Sequence, residues 1–198
     1  DLAITGALWL GIVRSPFAHA RIGSIDTSEA AAMPGVVAVY TGTQLVELGM
    51  GPLPCAWAVT EDMVAPEHLP VAVSEACFVG DAVAVVVAES RYAARDAVGA
   101  VLVGYDPLPV VVDLEDAASD ETLAHTDLAS NTSYVWELIP EPEAVDKAFA
   151  EATHHVTERY LQQRLIPSAM EPRGVAVVPQ PQGGEITIWS ATQIPHIL

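Results

Sequence analysis

The side chains with most chemistry to offer crowd one stretch, Gln162 to Arg173 (QQRLIPSAMEPR), where amides, arginines and a carboxylate occupy a turn between apolar runs. Pro167 and Pro172 forbid a regular helix through it and bias each preceding residue toward extended backbone, so the polar groups sit on a stiff, irregular path. Such a path either aims an amide at a ligand or lets Arg164, Glu171 and Arg173 satisfy one another at a strand corner. Gln163 stands out because glutamine carries both an acceptor and a donor and can bond a polar group without changing charge.

The familiar catalytic signatures are missing: there is no G-x-G-x-x-G, P-loop, G-x-S-x-G or H-E-x-x-H. His154 and His155 are neighbours on an expected strand, so they point to opposite faces and do not converge on one ion. His19, within SPFAHAR, is expected to tie a turn together through a ring nitrogen. Glu158, Arg159 and Arg164 read as cross-strand or corner pairs. Cys55 and Cys77 stand far apart and outside any C-x-x-C spacing, so neither an iron-sulfur cluster nor a structural zinc site is encoded. Two isolated thiols suit a reducing cytoplasm.

Charge narrows the partners. The chain of 198 residues carries 26 acids against 8 bases, a formal net charge of −18. A duplex or an anionic membrane surface would repel it, so neither nucleic acid nor lipid is an expected partner. The longest apolar run, Ala82 to Ala88, is far shorter than the roughly 20 residues of a membrane helix, and no membrane span is expected. A composition 51% hydrophobic and 17% charged describes a packed protein.

The elements that must position these groups can be read in order. Ala7 to Val13 reads as a strand ended by Arg14-Ser15-Pro16, and Ala20 to Asp26 as a second. Asp26 is expected to cap a short helix over 27–32, and Val36 to Thr41 is a strand bounded by turn residues. After a short helix over 43–48, Pro and Gly punctuate a long irregular excursion. Val83 to Val87 is continuously apolar and β-branched, as a central buried strand should be. Ser90 then caps a helix with Ala94, Ala97, Val98 and Val101 on one stripe. A strand over 101–105 follows, with Asp106 to Pro109 as a rigid extended exit. The acidic, aperiodic run from Asp113 to Asn131 is the candidate linker. Beyond it come a strand over 134–139, a helix opened by Glu141-Pro142-Glu143, and strands over 154–161, 174–178 and 185–190.

Several phrases resemble one family. The QRxxPxxxE pattern of Gln163 to Glu171 is similar to a segment of the large, molybdenum-binding subunits of the xanthine dehydrogenase, aldehyde oxidase and carbon monoxide dehydrogenase family. Arg14 to Ile22 (RSPFAHARI), Met33 to Thr41 (MPGVVAVYT), Val79 to Ser90 (VGDAVAVVVAES), Tyr105 to Pro109 (YDPLP) and Ser190 to His196 (SATQIPH) resemble further phrases in the same order. Ala82 departs from a usual proline, and Asp106 from a usual glutamate.

The resemblance implies an α+β protein: an α/β-hammerhead domain over 1–121, a linker over 122–133, and the truncated start of a molybdopterin-binding domain over 134–198. It implies molybdopterin in the full subunit, in its cytosine dinucleotide form, with FAD and [2Fe-2S] clusters on partner subunits or domains. Gln163 matches the family glutamine that reaches toward an oxygen ligand of molybdenum and is the one cofactor-binding residue carried over; Glu171 and Arg173 stay structural. The metal takes no protein ligand in most members. The glycine-rich loop and the general-base glutamate of relatives lie outside these residues. The chain is therefore expected to be an N-terminal part of a cytoplasmic molybdenum hydroxylase, inactive without the remaining C-terminal part. Its complete form would oxidise an aldehyde, purine, N-heterocycle or carbon monoxide using water-derived oxygen. The competing expectation is a non-catalytic α+β scaffold that kept only the hammerhead; a glycine-rich cofactor loop encoded soon after Leu198 would discriminate the two.

Overall fold

The computed structural model describes residues 4–54, 57–138, 141–163, 165–166, 168–180, 183–192 and 195–196. The chain divides into two compact units, residues 1–140 and 141–198.

In the first unit, β1 (Trp9–Arg14), β2 (Ala20–Asp26), α1 (Ser28–Ala32), β3 (Val36–Thr41) and α2 (Gly42–Glu47) follow one another closely. Residues 49–74 then run without helix or strand among the described positions. The remaining elements are β4 (Glu75–Ala76), β5 (Ala82–Ala88), α3 (Arg91–Ala100), β6 (Leu102–Pro107) and α4 (Leu114–Ala118). Two three-stranded antiparallel sheets result, ordered β1-β5-β3 and β4-β2-β6.

Apolar strand β5 takes the central place expected of it, with Val83 and Val86 wholly buried. Helix α3 packs across β1 and β5 through Ala94 and Ala97, the stripe anticipated from their spacing, and Ser90 Oγ accepts the Ala93 N–H at its start. Close approach is built in: a Cβ on Gly11 of β1 would stand 2.7 Å from Val98 Cγ2 and 2.9 Å from the Ala94 carbonyl oxygen. Gly42 is tighter still, since a Cβ there would collide with the Ala72 carbonyl. The core is thus made of small residues, Ala and Val, pressed backbone to backbone.

Capping follows expectation at α1 with a shift of one residue. Thr27 holds the N-cap position without a side-chain bond, and Asp26 Oδ1 accepts the N–H of Ser28, the first helical residue, at 2.9 Å. Helix α2 has a capping box the sequence reading passed over, with Gln44 Oε1 accepting the Thr41 N–H and Thr41 Oγ1 accepting the Gln44 N–H.

The second unit contains α5 (Pro142–Glu151) and the hairpin of β7 (Val175–Pro179) with β8 (Ile186–Ser190). Proline at the first helical position and Glu143 in the first turn open α5 as the sequence indicated. Two expected strands are not formed: 134–138 and 154–161 are irregular. Backbone N–H and C=O groups need a ladder to become a strand, and neither segment finds a partner strand among the described residues. The expected strand position Ile139 lies outside those residues.

Candidate functional site

Two polar assemblies stand out, one in each unit. In the first, the phrases Arg14–Ile22, Val79–Ser90 and Tyr105–Pro109 converge on one buried corner. Ser15, 2% exposed, donates its N–H to the Asp81 carbonyl and accepts the Gly80 N–H, each at 2.8 Å. Arg14 Nη1 donates to the Gly80 carbonyl oxygen at 2.7 Å. Asp81 is also buried; its Oδ2 accepts the Cys77 N–H at 3.1 Å, yet burial outweighs that bond and pushes its carboxyl above the usual aspartate range.

His19 is the centre of this corner. Its Nδ1 lies 2.7 Å from the Pro109 carbonyl oxygen and its Nε2 lies 2.8 Å from Glu75 Oε1. Its own carbonyl accepts the Leu108 N–H. The expected turn-tying role is therefore a long-range one, reaching 90 and 56 residues along the chain. Thr126 Oγ1 donates to Glu75 Oε2 at 2.7 Å. Burial of Glu75 would raise its pKa, but the bonds from Thr126 and His19 prevail and hold the carboxyl below the usual glutamate range. Beside it, burial followed by the charges of Glu75, Asp81 and Asp127 drives the Cys77 thiol up to about 11, so Cys77 is a poor nucleophile. The polar groups of this corner are spent on one another, which makes it an architectural site.

The second assembly is the amide-rich stretch. Gln163 is exposed on irregular backbone, and no hydrogen bond to its side chain forms among the described residues. Arg164 and Pro167 lie outside those residues. Ser168 adopts φ 47°, a left-handed conformation uncommon for a residue with a Cβ, and its hydroxyl donates to the Ile166 carbonyl at 3.4 Å. Glu171 and Arg173 are exposed and make no ion pair with one another among the described residues. Around them Tyr160, Leu161, Leu165, Ile166 and Met170 are also exposed. His154 and His155 are exposed too, with the His155 ring 6.2 Å from that of Phe149. No group of three or more His, Cys, Asp or Glu able to hold a metal occurs among the described residues.

The donor chemistry of this stretch fits a large, partly apolar cofactor that brings its metal on its own organic ligand. It presents a neutral amide, able to donate and to accept, among exposed apolar side chains. Sequence reasoning singled out Gln163 and His19, while Glu75, Asp81 and Thr126 escaped it. Only contacts between distant segments give those three meaning, and no local spacing encodes such contacts.

Residues 1–109 match the family described as aldehyde oxidase and xanthine dehydrogenase, a/b hammerhead domain. Residues 124–198 match the family described as molybdopterin cofactor-binding domain. The chain belongs to the aldehyde oxidase and xanthine dehydrogenase family, combining the hammerhead with the start of the molybdopterin-binding region. It is 35% identical to the carbon monoxide dehydrogenase large chain of Afipia carboxidovorans, over 100% of this chain and 25% of that protein. It is 34% identical to the 6-hydroxypseudooxynicotine dehydrogenase complex subunit gamma of Paenarthrobacter nicotinovorans, over 98% of this chain and 24% of that protein. The structure of quinoline 2-oxidoreductase from Pseudomonas putida 86 superposes with a TM-score of 0.85 at 35% identity, covering 98% of this chain and 24% of that one. The chain thus spans about a quarter of the length of the curated relatives it matches.

Proposed function

We propose that this chain is the N-terminal part of the large subunit of a molybdenum hydroxylase, an oxidoreductase that oxidises a small substrate with oxygen derived from water. The observation that carries the reading is the order on one chain of a hammerhead match and a molybdopterin-binding match, with Gln163 presented openly in the second. The molybdopterin, in its cytosine dinucleotide form, would supply the redox chemistry. Gln163 would hold it through a neutral amide that donates or accepts without altering local charge. The exposed Tyr160, Leu161, Leu165 and Ile166 would exclude water around that amide once the cofactor and further polypeptide cover them. Electrons would leave through [2Fe-2S] and FAD groups on partner subunits or domains, in the cytoplasm. Relatives named for carbon monoxide, nicotine, xanthine and aldehyde support a small substrate that is an aldehyde, a purine, an N-heterocycle or carbon monoxide. The domain division that accompanies this reading is a hammerhead over 1–121, a connection over 122–133 and cofactor-binding polypeptide from 134 onward.

The test is to purify the intact protein, release and quantify its pterin and molybdenum, and compare turnover with that of Gln163→Ala. The expected result is a loaded variant with turnover lowered about 10- to 100-fold, the usual cost of removing a group that orients a metal centre. Intact protein that carries neither pterin nor molybdenum would instead favour a non-catalytic scaffold.

A further inference from the structure

The buried imidazole of His19 has acceptors on both sides: a carbonyl oxygen at Nδ1 and a carboxylate at Nε2. A carbonyl has no proton to give, so Nδ1 must donate to Pro109. On the other side Nε2 meets the Glu75 carboxylate at 2.8 Å. Glu75 passes the connection on, accepting from Thr126 at its other oxygen. Pro109 opens the segment that leaves β6 and Thr126 lies within it, so the ring grips one and the carboxylate bonded to that ring grips the other. Around them, His125 Nδ1 stands 3.7 Å from Cys77 Sγ, a second tie beside the first. Glu75 and Cys77 are two residues apart, so on extended backbone they offer the same side to His125 and Thr126.

The segment between the grips is organised on its own. Asn131 Oδ1 accepts the Ala124 N–H at 2.8 Å, and its Nδ2 donates to the carbonyls of Ala117 and Thr122 at 2.9 and 2.8 Å. Its N–H donates to Asp120 Oδ1 at 2.7 Å. Asp120 itself has φ 57°. Asn131 therefore closes the loop upon itself, whereas Thr126 fastens it to Glu75 of β4 and His19, just before β2, holds its entry at Pro109.

We propose that the His19–Glu75–Thr126 chain is a clasp that fastens residues 110–133 onto the β4-β2-β6 sheet and so sets the path by which the polypeptide leaves the hammerhead. An acidic, aperiodic stretch that reads as a free linker is by this device a held strap. The clasp does not depend on the enzymatic reading.

The test is amide hydrogen exchange by mass spectrometry on the intact protein, comparing wild type with Thr126→Val, His19→Gln and the double variant. Thr126 is exposed, so valine there removes one hydroxyl without disturbing the core. Exchange in peptides spanning 110–133 should quicken about 10-fold in Thr126→Val, as expected for a lost bond to a charged group. Peptides of β5 should keep wild-type rates. The double variant should quicken exchange by less than the product of the single effects, because both substitutions open one chain. Wild-type rates over 110–133 in Thr126→Val, or an effect equal to that product, would overturn the clasp. If His19→Gln does not fold, Thr126→Val decides alone.

Discussion

Helices α3 and α5 are both ten residues long and both amphipathic, yet they live in opposite circumstances. Helix α3 buries Ala94 and Ala97 against the β1-β5-β3 sheet, whereas α5 buries nothing and leaves Phe149 60% exposed. The hairpin β7-β8 repeats the contrast: Val175, Val177, Ile186 and Ile188 share one face by register, and all four are exposed. Every buried residue among those described belongs to the first unit. A two-stranded hairpin has too little covered surface to be stable by itself. The first unit therefore carries its own buried core, while the apolar faces of the second stand exposed.

The contrast is broken most sharply by placing a charge on each sheet. Val86→Asp buries an unpaired carboxylate beside wholly buried neighbours and should cost about 4 kcal/mol or more, enough to unfold the first unit. Val177→Asp, on the open hairpin face, should change the stability of this chain by within about 0.5 kcal/mol. Chemical denaturation of the two variants reads both values. Gly42→Ala is a smaller perturbation of the same core. The added methyl meets backbone that cannot move aside, and a loss of about 1 to 3 kcal/mol is expected in the same assay. The smallest effect compares the helix starts. Ser90→Ala removes a bonded cap and should cost about 1 kcal/mol, while Glu141→Ala removes a residue that makes no capping bond and should leave stability nearly unchanged.

The same division explains what could be read from the sequence. In the first unit, hydrophobic pattern and burial agree because partner and partnered surface lie within one chain: β2, β3, β5 and α3 fall where Ala20 to Asp26, Val36 to Thr41, Val83 to Val87 and the Ser90 cap placed them. Two-residue β4 escaped notice because Glu75–Ala76 has no period to detect. In the second unit, 154–161 has strand composition with Val156, Tyr160 and Leu161 exposed, and composition does not make a ladder without a neighbour. Gln163 was singled out by its chemistry and the phrase around it, and the structure leaves it exposed. The His19 corner was legible only in part, because a histidine in a short phrase does not disclose that Glu75 and Thr126 will meet it.

Gln163 beside the cofactor is the central claim, and a structure of the intact protein with the metal located by anomalous scattering at the molybdenum edge tests it most directly. The account predicts the Gln163 amide about 3 Å from an atom in the ligand sphere of that metal, within ordinary hydrogen-bonding distance. A metal centre elsewhere, with the Gln163 amide still turned into bulk water, would contradict it.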